Sequence, residues 1–107
     1  MDVPEIDIDE FARRREQGVP VIDVREPGEY HSGHVPGAAL VPLATVPDHL
    51  ADLPSTGEVL VICRTGARSL RATEFLVANG VSATNVAGGT KAWIESGRGV
   101  AEGDEPG

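Results

Sequence analysis

The segment Val59-Leu60-Val61-Ile62-Cys63-Arg64-Thr65-Gly66-Ala67-Arg68-Ser69 holds the residues best suited to chemistry. An apolar, β-branched run ends at a cysteine, a short polar turn with a glycine follows, and a helix-forming stretch begins at once. Read as strand, loop and helix, this order sets the thiol at the carboxyl end of a strand, where parallel α/β sheets bind ligands. There it faces the first amides of a helix, which have no partner within the helix. The thiolate is the nucleophile, and a free cysteine ionises near pH ~8.5. A helix terminus supplies ~0.3–1 kcal/mol, which is less than one pKa unit at about 1.4 kcal/mol per unit. Ionisation near neutrality therefore also needs loop amides pointing inward and cations nearby. Both are present: Gly66 permits a tight backbone path, Arg64 and Arg68 bring charge, and no acid lies between Cys63 and Arg71. A lone cysteine closing a buried strand is by default a small core residue. The polar residues that follow this one make the next turn an anion pocket instead.

The elements that must position this loop are readable from the pattern. Pro20 to Val24 and Val59 to Ile62 are short, nearly continuous apolar runs, the mark of strands buried on both faces of a parallel sheet. Val3 to Ile6, Ala38 to Val41 and Ala83 to Val86 are weaker strand candidates. Asp7 is placed to cap a helix that Glu10 completes as a capping box, with Phe11 and Ala12 inward and an end at Gly18. A second helix is predicted over 67–79, with Ala72, Phe75 and Leu76 on one face and Gly80 following it. Shorter helices are expected at 28–32, at 45–52, and at 90–95 with Thr90 as cap. Strands alternating with helices predict an α/β domain with a central parallel five-stranded sheet and helices on both faces. Residues 1–96 are read as this domain. Residues 97–107, rich in glycine and acids, are read as a flexible acidic tail.

Composition narrows the function classes. The 107 residues suit one domain. Nine basic residues against 17 acidic ones give a net charge of -8, which argues against nucleic acid and anionic lipid as partners. The single cysteine excludes an intrachain disulfide and any multi-cysteine metal site. His31 and His34 are three residues apart, but a metal site would need further ligands, so no metal or cofactor is expected. No apolar stretch is long enough to span a bilayer, and the acidic N-terminus is unlike a signal peptide. A reducing, cytoplasmic location is expected. The charge is unevenly spread: Cys63 to Arg71 holds three of the nine basic residues and none of the 17 acidic ones.

Cys63 to Ser69 resembles the active-site loop of the rhodanese-like sulfurtransferases, a cysteine followed by four residues and an arginine. Val21 to Glu26 with Glu29 and Tyr30, then Gly33 to Ala38, are similar to the family's first two landmarks. Asn85 to Gly89 with Trp93 resembles its C-terminal signature. The four stand in order from about Ile6 to Trp93.

The resemblance implies that Cys63 takes a sulfane sulfur from a small donor such as thiosulfate. The resulting persulfide would pass the sulfur to cyanide, a small thiol such as glutathione, or a protein thiol such as thioredoxin. Ping-pong kinetics follow from two half-reactions. The amides of Arg64, Thr65, Gly66, Ala67, Arg68 and Ser69 would cradle the sulfur, Arg64 would help receive the anionic donor, and Arg68 would close the loop. Phosphatases that share the fold carry one more residue between cysteine and arginine, and the shorter ring here suits one sulfur atom better than a phosphate. Asp23 and Arg25 are read as a supporting pair that pins the neighbouring loop. Two-domain rhodaneses enclose the pocket with a second domain, so here the loop is expected to open to solvent. Members that lack the cysteine serve as binding or regulatory modules, which leaves such a module, or a partner-dependent sulfur-relay carrier, as the alternative.

Overall fold

The continuous apolar run 59–62 becomes the middle of a sheet. A computed structural model describes residues 2–107, and in it five strands pair in parallel: β1 (Glu5–Ile6), β2 (Val21–Asp23), β3 (Ala39–Leu40), β4 (Glu58–Ile62) and β5 (Ser82–Val86). Their order is β1-β5-β4-β2-β3, so β4 is central. Val59, Leu60, Val61 and Ile62 are all fully buried, as a strand covered on both faces requires.

Alternate residues of β4 feed two cores. Val59 and Val61 join Ile22, Val24, Ala72 and Leu76, under α3 (Ala67–Ala78) and a 3-10 helix (Leu43–Asp52). Leu60 and Ile62 join Phe11, Val21, Val86 and Trp93, under α1 (Ile8–Glu16) and α4 (Gly89–Glu95). The Phe11 and Trp93 rings meet edge to face, 5.5 Å between centroids, and tie α1 to α4. A short helix α2 (Pro27–Ser32) follows β2. No helix among the described residues is long and apolar enough to cross a membrane.

Several expectations need correction in detail. Asp7 caps α1 by accepting the Glu10 amide at 2.9 Å, but the Glu10 carboxylate turns to Arg13 and Arg14 instead of returning to Asp7. The helix expected at 45–52 is a 3-10 helix from Leu43; Pro47 lies inside it and has no amide to donate to an α-type bond. Thr90 is not the cap of α4. Gly88 takes that place at φ +82°, because the turn from β5 into the helix is tight.

Residues 97–107 lie back along the domain, where the sequence reading expected a frayed tail. Trp93 Nε1 donates to the Gly99 carbonyl at 2.7 Å. Ala101 and His34 exchange backbone hydrogen bonds of 2.9 Å in both directions. The Gly103 amide donates to the His31 carbonyl at 2.9 Å, and the Gly37 amide to the Pro106 carbonyl at 2.8 Å. On the segment's own side most of these contacts are made by backbone carbonyls and amides, which leave no trace in side-chain composition.

Candidate active site

Cys63 follows the last residue of β4, and the chain turns into α3 within four residues. Gly66 makes that turn possible at φ +109°, a left-handed conformation that other residues resist. The turn folds the loop back over the sulfur. The Gly66 amide and the Ser69 hydroxyl each donate to Cys63 Sγ at 3.2 Å. Burial pushes the thiol up, but the Ser69 hydroxyl and the amides of Ser69, Gly66 and Thr65 together bring it below the ordinary cysteine value. Hydrogen bonds to the charged form outweigh desolvation here.

The loop is also held from below. Thr90 donates to the Cys63 carbonyl twice, through its amide at 2.9 Å and its hydroxyl at 3.0 Å. The Lys91 amide donates to the Arg64 carbonyl at 3.0 Å. This close approach needs Gly89, where an added Cβ would lie 2.5 Å from the Cys63 carbonyl oxygen.

Two ion pairs flank the loop. Arg68 grips Glu29 of α2 with both terminal nitrogens, at 2.7 and 2.9 Å. That guanidinium, helped by the Glu26 amide, holds the Glu29 carboxyl down at about 2. At the end of β2, Arg25 pairs with Asp23 at 2.8 Å and donates to the Gly33 carbonyl at 2.9 Å. Both partners are buried. Arg25 thus ties β2 to the end of α2.

Of the residues singled out from the sequence, the structure brings Cys63, Thr65, Gly66 and Ser69 onto one sulfur. Arg68 closes the turn through Glu29 rather than by contacting the sulfur. Ala67 starts α3. Arg64 is exposed and makes no side-chain hydrogen bond or ion pair among the described residues. With Arg25, Thr90, Lys91, Ile94 and Glu95 it lines a cavity of about 300 Å³ beside the loop. The expectation of an open pocket holds for the loop's rim and fails for its centre. Arg64, Thr65 and Ala67 are exposed, whereas Cys63 is 1% exposed, because its own loop and Ser69 cover it. Sequence reasoning gave Thr90 and Glu29 no part in the site. The Thr90 contact depends on how closely α4 approaches β4, and the Glu29 contact spans 39 positions, so neither had a local signal.

The family model for the rhodanese-like domain matches residues 7–96. The chain belongs to this family. A sulfurtransferase from Allochromatium vinosum is 33% identical over 98 residues, spanning 89% of this chain and 92% of that protein. The thiosulfate sulfurtransferase GlpE of Pseudomonas entomophila is 32% identical over 80 residues, 74% of this chain and 73% of that one. Among solved structures, a rhodanese-like domain protein from Staphylococcus aureus superposes with a TM-score of 0.84 at 34% identity, over 94% of this chain and 98% of that one. The rhodanese-like fold and these relatives support an activity of the sulfurtransferase kind.

Proposed function

We propose that this rhodanese-like protein transfers sulfane sulfur through a persulfide on Cys63. The observation that carries this reading is the pair of 3.2 Å donors, Gly66 N–H and Ser69 O–H, aimed at Cys63 Sγ. Preorganised donors around a sulfur favour its anionic form, whether thiolate or persulfide. With thiosulfate as donor, the Cys63 thiolate attacks the sulfane sulfur. The new S–S bond forms as the old one breaks, and sulfite leaves with the bonding electron pair. A nucleophilic acceptor then attacks the outer sulfur: cyanide yields thiocyanate, and a thiolate such as that of glutathione or thioredoxin yields a persulfide. Either step returns the Cys63 thiolate, so charge and sulfur balance without an added oxidant.

The burial of Cys63 favours a second reading, a sulfur-relay carrier that discharges only to a dedicated partner able to reach the covered sulfur. One experiment separates the two. The protein is incubated with thiosulfate, its intact mass is recorded, cyanide is added and thiocyanate is assayed, with Cys63→Ser as control. Gain of one sulfur atom followed by thiocyanate release, both absent in Cys63→Ser, is the expected result. Persulfide without turnover to small acceptors indicates the relay carrier. No sulfur uptake would sink both readings and leave a binding module.

A further inference from the structure

Asn85 lies on β5 beside the loop, is 1% exposed, and has no role in the chemistry described above. Its side-chain nitrogen reaches two acceptors, Glu5 Oε2 at 2.8 Å and the Gly66 carbonyl at 3.3 Å. Its oxygen, Oδ1, is buried with no hydrogen-bond partner among the described residues. An orphaned buried acceptor is unfavourable, so the amide is held in place by what its nitrogen binds. Turned over, it would set its oxygen against a carboxylate and a carbonyl.

The acceptor it reaches is the pivot of the sulfur cradle. Gly66 sits at φ +109°. Its amide donates to Cys63 Sγ at 3.2 Å, and its carbonyl accepts the Leu70 amide at 3.1 Å, the first bond of α3. A peptide unit is planar and trans, so fixing the Gly66 carbonyl also fixes the Ala67 N–H, which points to the opposite side. A glycine with no side chain has little else to hold its two peptide planes.

We propose that Asn85 is a positioning residue for the reactive sulfur: by pinning the Gly66–Ala67 peptide plane, it limits rotation about Gly66 and so steadies the turn from which the Gly66 amide reaches Cys63. Glu5, on the edge strand β1, anchors Asn85 from the far side. The inference rests on the reading of Cys63 as the reacting sulfur, but it concerns the thiolate and not the transfer. A merely structural Asn85 would tie β1 to β5, a task the backbone already performs through the Asn85 amide and the Pro4 carbonyl at 2.9 Å.

The test is the pH profile of Cys63 alkylation by iodoacetamide, which needs neither donor nor acceptor. Asn85→Ala is compared with the wild-type chain and with Thr84→Val. Thr84 is the buried neighbour on β5 whose hydroxyl binds Glu58 and not the loop. Asn85→Ser keeps a small polar side chain in the same space and carries the test should Asn85→Ala fail to fold. The expected result is an upward shift of about half a pH unit or more in the alkylation midpoint for Asn85→Ala or Asn85→Ser, and none for Thr84→Val. A midpoint unchanged in the folded Asn85 variant, or moved equally by Thr84→Val, overturns the proposal. Because wild-type sulfur uptake is measured separately, failure of the transfer reading would leave this result interpretable.

Discussion

Glu29 and Arg68 show how a charge outside the reacting group keeps the loop closed. Their side chains are about one-third exposed, at 33% and 36%, so solvent screens much of the attraction, and the pair contributes about 0.5–1 kcal/mol. The folded-state Glu29 carboxyl lies at about 2 against an ordinary 4.5. A depressed carboxyl stabilises the fold fully above its unfolded value, and that stability is lost as pH falls through the folded one. Glu29→Gln is therefore expected to lower stability at pH 7 by up to about 1 kcal/mol, with the difference shrinking from pH 4.5 downward and nearly gone by about pH 2. Urea unfolding at several pH values checks this; a deficit that persists at the acid end would assign the loss to something other than the ion pair. The same sign applies to Cys63, whose thiol lies below its ordinary value. Its loop bonds support the fold above the unfolded thiol pKa, and that support is lost as pH falls through the folded one.

At the scale of elements, the site depends on how closely α4 approaches the end of β4. Gly89 and Gly80 separate the two demands made on glycine. Both have positive φ, +58° and +84°, but an added Cβ at Gly80 meets nothing within 4 Å, whereas at Gly89 it meets Cys63 O at 2.5 Å and Arg64 O at 2.6 Å. Gly80→Ala is expected to cost only the backbone strain, about 1 kcal/mol. Gly89→Ala must also push α4 off the loop and is expected to cost about 3 kcal/mol or more. It should slow Cys63 alkylation as well, because the Thr90 bonds to the Cys63 carbonyl are lost. Thermal unfolding and alkylation of the two variants measure both effects, and equal costs would mean the contact is relieved without moving the helix. The strands and α3 were legible because their signals are local: an unbroken apolar run at 59–62, an inward face at Ala72, Phe75 and Leu76, and Gly80 just past the end of α3. The 3-10 geometry at 43–52 turned on Pro47, and the burial of the thiol on contacts with Ser69 and α4. Periodicity carries neither. The seven-residue stretch at the loop announced its chemistry through residue type, but not which side chains would touch the sulfur and which would brace the turn.

For the molecule as a whole, the docked segment 97–107 closes the structure around α2 and Trp93. His34 is fully buried. Its ring stacks on Tyr30 with centroids 3.6 Å apart, and its Nε2 lies 2.9 Å from the Glu105 carbonyl. Removing residues 99–107 strips the partner from Trp93 Nε1, breaks the Ala101–His34 exchange and uncovers His34. A loss of about 1–2 kcal/mol is expected, roughly 5–10 °C in melting temperature for a domain of this size. An unchanged melting temperature would show that the segment contributes nothing to the fold. Composition concealed this because glycine and acids favour solvent, while the docking uses carbonyls and amides that every residue carries.

The strand order has a consequence for how the protein comes into being. The central strand leads straight into Cys63, but β5 and the Thr90 clasp that complete its surroundings begin 19 and 27 positions later in the chain. In synthesis from the N-terminus, the loop is made before the helix that clasps its carbonyls. The loop therefore reaches its braced form only once α4 has been made and has folded back onto the end of β4.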